Sequence, residues 1–199
     1  MNKGNFFSAK NVAILGVLVA LVIVLQLYAS AIPMLGVSIN LSLIPIAFAG
    51  IMLGALGGAI VGFTCGIVVF ITMAVLGQEP STAALFQASP VILTIMCVGK
   101  TTLAGVACGL IYKFFPKRNF FLAVMISVLA IPVVNTGTYM LGIVIMKDAA
   151  AEFLGLTSSS AGLVFALVFA MIWINFVVEL AVNFIFAPII YRVTKILEK

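Results

Sequence analysis

The chain has 199 residues, of which 65% are hydrophobic and 8% charged, with a mean hydropathy of +1.38. Soluble domains are about half apolar and a quarter charged, so no water-facing surface could cover these side chains and lipid is the solvent for most of the protein. The net charge of +5 lies in residues placed between apolar runs, which argues against a nucleic-acid partner, and the absence of histidine excludes Ser-His-Asp and Cys-His catalysis, HExxH sites and histidine-bound metals.

In chain order, MNKGNFFSAK leads into a charge-free run over 11–30. No small-residue cleavage site follows a short apolar core, so this run reads as a retained anchor rather than a signal peptide. The next segment, 40–54, is short for a span that needs about 20 residues. Only Gly54-Ala55-Leu56-Gly57-Gly58 separates it from segment 57–76, which predicts a tight re-entry. Segments 88–112, 119–146 and 161–191 complete the set. Runs such as AILGVLVALVIVLQLYAS do not alternate, which favours helices over a β-barrel. Pro45 and Pro132 each remove a backbone donor and predict kinks or local unwinding. With no long linker, residues 1–199 read as one domain, an all-α membrane protein of six transmembrane helices.

Orientation follows the distribution of Lys and Arg in short loops. With the N-terminus inside, Lys3, Lys10, Lys113, Lys117, Arg118, Arg192, Lys195 and Lys199 are cytoplasmic, and Lys147 alone is external. Both termini are therefore expected in the cytoplasm. The external segments 31–39, 77–87 and 147–160 carry Glu79, Asp148 and Glu152, and the first is apolar enough to fold back as a lid.

Small residues recur one turn apart at Gly16 and Ala20, Gly50 and Gly54, Gly58, Gly62 and Gly66, and Gly105 and Gly109. Such spacing lets backbones approach closely in lipid, and most of it reads as internal packing. Cys65, Cys97 and Cys108 lie singly in apolar runs with no CxxC, and read as core-filling thiols. No cofactor or metal is expected.

The intramembrane polar residues carry the functional signal. Lys100 lies 13 residues before Lys113, and Glu179 lies 13 before Arg192. At about 1.5 Å per residue both sit some 20 Å above the cytoplasmic boundary. Asn175, Glu179 and Asn183, spaced by four, form one stripe that faces protein or ligand. Asn135, Thr136, Thr138 and Tyr139 follow Pro132, and Gln26, Asn40, Gln87 and Thr94 fall at comparable depths. Two readings stay open: a buried Lys100–Glu179 ion pair that fixes the bundle, or a ligand pocket lined by these groups. Both can hold at once.

The stretches LSLIPIAFAGIMLGALGGAIVGFTCGIVVF (41–70), CVGKTTLAGVACGLIYKFF (97–115), PVVNTGTYMLG (132–142) and INFVVELAVNFIFAPII (174–190) resemble the substrate-binding S components of energy-coupling factor (ECF) vitamin transporters. The resemblance covers nearly the whole chain. It implies a bacterial plasma-membrane subunit that captures a vitamin or related micronutrient in an outward-facing pocket. Its partners would be a membrane coupling subunit and two ATPases. In that family the first helix carries AxxxA at the coupling surface, and the matching pair here is Gly16 and Ala20, with Ala13 extending the face. No Walker motif occurs in the chain.

Two other classes remain open. A stand-alone secondary transporter would use an intramembrane acid such as Glu179, but the two halves share no convincing repeat. An intramembrane enzyme would need an aspartate pair, and Asp148 is the sole aspartate. The candidate ligand-binding residues are thus Lys100, Asn135, Tyr139, Asn175, Glu179, Gln26, Asn40 and Gln87. A lone lysine among amides, with Tyr139 and Trp173, suits a small, polar molecule, anionic or neutral, which ranks pantothenate slightly ahead of riboflavin, with cobalamin or another micronutrient behind.

Overall fold

A computed structural model describes residues 8–31, 40–115, 119–156 and 161–197. Its elements are α1 (Ala9–Ala31), α2 (Leu43–Val69), a π-helical turn (Phe70–Val75), α3 (Pro80–Ala88), α4 (Pro90–Phe114), α5 (Phe120–Ile145), α6 (Lys147–Phe153) and α7 (Ala161–Leu197). Among the described residues, five stretches are long and apolar enough to cross a membrane: Ala9–Tyr28, Leu43–Val75, Pro90–Phe114, Phe120–Ile145 and Gly162–Ile196.

The expected second span is not a span of its own. At Gly54 the backbone leaves the helical region, with φ 75° and ψ −170°, a conformation open essentially to glycine alone. The chain reverses there: Ser42 Oγ lies 3.2 Å from Cys65 Sγ, whereas an unbroken helix would separate these residues by about 35 Å. Helix α2 is therefore a hairpin. Its first limb, about 11 residues, reaches only about 17 Å, so it re-enters against the longer limb instead of crossing.

Neither proline causes the bend. Pro45 occupies the first turn of α2, where its missing N–H would be unsatisfied in any case. Helix α5 continues through Pro132.

The glycines explain how α2 meets α4. The long limb runs antiparallel to α4, with Gly66 against Val98, Gly62 against Thr101, Gly58 against Gly105, and Gly109 against Gly54 and Ala55. A β-carbon on Gly58 or Gly105 would overlap the carbonyl of the other, so only hydrogen at both positions permits this approach. Thr101 Oγ1 donates to the Gly62 carbonyl at 2.7 Å and fastens the same seam. The small-residue spacing of α2 and α4 is thus internal packing. The three cysteines are free and buried, as expected of core-filling thiols.

Around this pair, α1 packs on α2, α5 on α4, and α7 on α5. Leu43, Ile46, Leu93, Val124, Val128 and Ile131 are fully buried between them. Helices α3 and α6 pack on each other at the end of the bundle opposite Lys113 and Arg192. They occupy two of the three segments expected to be external, 77–87 and 147–160, so these are partly helical connections. The expected lid, from residue 32 onward, lies outside the described residues, as do Lys3, Lys117, Arg118 and Lys199.

Candidate ligand-binding site

Helix α7 supplies the polar stripe. Asn175 Nδ2 donates to Glu179 Oε1 at 3.2 Å, and Asn183 Nδ2 donates to the Glu179 backbone carbonyl at 2.8 Å. Glu179 is 2% exposed and Asn183 1%. The i, i+4 spacing places all three on the face turned toward α5 and α2. Lys100 comes from α4, one residue before Thr101, and the close glycine seam with α2 positions it.

Lys100, Asn175 and Glu179 border one cavity of about 90 Å³, which Asn183 does not line. Gln26 of α1, Asn40 before α2, Lys100 of α4, Asn135, Thr136 and Tyr139 of α5, and Asn175 and Glu179 of α7 all line it. Seven of the eight predicted ligand-binding residues therefore meet in one place. Gln87 does not, because it lies exposed near the end of α3.

Lys100 and Glu179 do not form an ion pair. Among the described residues an ion pair joins Lys147 to Asp148 at 3.5 Å, while Lys100 Nζ sits over the Tyr139 ring, 4.8 Å from its centroid. A cation over an aromatic face gains about 2 kcal/mol when desolvated, yet this contact leaves the ammonium donors unspent on oxygen. Asn135 Oδ1, Asn175 Oδ1 and Glu179 Oε2, like Asn183 Oδ1 further along α7, are buried and have no hydrogen-bond partner among the described residues. An unmet buried acceptor costs about 1–3 kcal/mol, and three of them converge on one cavity.

One wall of the site belongs to a residue of the expected external connection 77–87. Glu79 precedes Pro80, the first residue of α3, and its carboxylate accepts hydrogen bonds from Ser81 Oγ at 3.2 Å and Thr82 Oγ1 at 2.9 Å. It lines the cavity with Val69, Met73 and Ile172. An acid immediately before a helix-initiating proline signals a helix start, but only packing brings that start over Lys100. Between α1 and α2, Ser42 Oγ donates to Gln26 Oε1 at 3.0 Å and also contacts Asn40 Oδ1. This contact holds Gln26, 2% exposed, in the wall.

Far from the cavity, Ala13, Gly16 and Ala20 lie exposed on α1. A β-carbon on Gly16 would meet nothing within 4 Å. Unlike Gly58, Gly62, Gly66, Gly105 and Gly109, this pair takes no part in the described packing.

No match was found among the curated proteins or the solved structures compared with the chain. The model of one family, ECF transporter, substrate-specific component, matches residues 10–191. With nearly the whole chain covered, a bundle of apolar helices long enough to cross a membrane and a cavity lined by polar groups between them, the protein belongs to the substrate-specific components of ECF transporters.

Proposed function

We propose that this subunit captures a vitamin-type micronutrient carrying an anionic group and N–H or O–H donors, and passes it to a coupling subunit driven by two ATPases. The observation that carries this reading is the convergence of Lys100 with the unpartnered oxygens of Asn135, Asn175 and Glu179 on one cavity. A carboxylate on the ligand would complete Lys100, and donors would complete the three acceptors. Pantothenate, with a carboxylate, an amide N–H and hydroxyls, leads on this chemistry. Riboflavin, which has hydroxyl and imide donors but no anionic group to meet Lys100, follows, and the size of a corrin places cobalamin last.

The remaining assignments rest on the family and on charge. Residues 1–199 act as one domain in the bacterial plasma membrane, with both termini cytoplasmic and the end bearing α3 and α6 outward. The exposed small residues Ala13, Gly16 and Ala20 form the docking face for the coupling subunit.

The test is mass spectrometry of the small molecule that co-purifies with the detergent-solubilised chain, followed by uptake in proteoliposomes with and without the ATPase module. The expected result is an anionic vitamin with hydroxyl or amide donors, moved only when the module is present. Accumulation by the chain alone under an ion gradient would instead make Glu179 the coupling acid of a secondary transporter.

A further inference from the structure

A second cavity, about 290 Å³, adjoins the polar one. Glu79, Tyr139, Ile172 and Asn175 line both, so the two share a wall. Away from that wall the second cavity is apolar apart from Ser81 of α3. Leu85 of α3, Ile143 of α5, Phe153 and Leu154 at α6, and Val168 and Met171 of α7 line it, and it is open on one side. The apolar part of this recess favours an apolar occupant, whereas the smaller chamber holds acceptors that need donors.

We infer that the site is bipartite, and that its ligand carries a compact anionic, N–H-bearing head in the Lys100–Glu179 chamber and an apolar chain or ring between α3, α5, α6 and α7. This rests on the capture reading above and narrows it to amphipathic molecules. The head fixes orientation through charge and hydrogen bonds, and the apolar group supplies affinity in proportion to the area it removes from water. Discrimination by length then lies with Val168 and Leu154. A methylene is worth a roughly constant increment while it fits and is rejected when it does not.

The test uses N-acylglycines with acetyl, butanoyl, hexanoyl and octanoyl chains, titrated into the purified full-length chain in detergent. Each presents a carboxylate, an amide N–H and a tail of known length. Affinity should rise about fourfold per methylene and then level or fall as the chamber fills. Val168→Phe, which narrows the chamber, should move the optimum to a shorter chain, and Leu154→Ala, which widens it, to a longer one. The opposite signs keep the result interpretable if one variant folds poorly. Lys100→Met should weaken the whole series without moving the optimum.

Equal affinity along the series, still sensitive to Lys100→Met, would overturn the apolar subsite and leave the polar capture site standing. A rise with length that neither chamber variant alters would place the tail in detergent and overturn the inference. Absence of binding by every member would also overturn it, and the identity of the co-purifying molecule would then judge the capture reading separately.

Discussion

Lys100 and Glu179 share a depth and a cavity without pairing, and this separates their roles. A lysine held over Tyr139 at 4.8 Å keeps its donors available, while Glu179 Oε2 stays unmet. Replacing Lys100 by Met keeps the stem and removes a charge-assisted hydrogen bond. Affinity for the co-purifying ligand should fall about ten- to hundredfold, or about 1.5–3 kcal/mol, and the thermal midpoint should barely move. A large loss of stability that Glu179→Gln restores would instead reveal a structural counter-ion. Calorimetric titration and thermal unfolding of the single and double variants decide between them.

At the scale of elements, the glycines of α2 serve two separate ends. Gly54 permits the reversal, because its φ of 75° with ψ −170° is strained for any other residue. Gly54→Ala should destabilise the protein by about 1–3 kcal/mol. Gly58 permits contact, since an added methyl would strike the Gly105 backbone. Gly58→Ala should force α2 from α4 at a cost of about 1–3 kcal/mol, and because Lys100 rides on α4, ligand affinity should fall with stability. Gly99→Ala is the matched control, as nothing lies within 4 Å of the added atom. Thermal unfolding in detergent should order the variants with Gly99→Ala nearest wild type; a Gly58→Ala protein as stable as that control would contradict the seam.

For the whole molecule, the exposed face of α1 bears on assembly and the distribution of charge on orientation. Gly16→Trp should abolish uptake in cells that contain the ATPase module and leave ligand affinity of the isolated chain near normal. Bulk on the exposed face of α1 blocks a partner without touching the cavity. Uptake that survives both Gly16→Trp and Ala20→Trp would move the coupling face elsewhere. Orientation is read by labelling single cysteines from outside sealed cells in a background lacking Cys65, Cys97 and Cys108. Gln87→Cys and Glu152→Cys should react, and Lys113→Cys should not. Reaction at Lys113→Cys would invert the topology.

What the amino-acid order determined alone was the lipid environment, the helical class and the register of the polar residues. These depend on composition and on a fixed rise per residue, so equal spacing from Lys113 and Arg192 was enough to level Lys100 with Glu179, and a spacing of four was enough to align Asn175, Glu179 and Asn183. The glycine-rich joint announced the reversal at Gly54, and the Gly58 and Gly105 spacings announced close packing. Tertiary structure alone decided the rest. That segment 40–54 forms a half-length limb depends on where the hairpin turns, and Pro45 could not reveal it because a first-turn proline costs nothing. Which polar residues at one depth face each other depends on rotation about helix axes. This brought Gln26 and Asn40 to the cavity, left Gln87 outside it, and carried Glu79 in from a connection. The choice between an ion pair and two separate wall groups was settled by the Tyr139 ring beneath Lys100, a contact between two helices that no local pattern encodes.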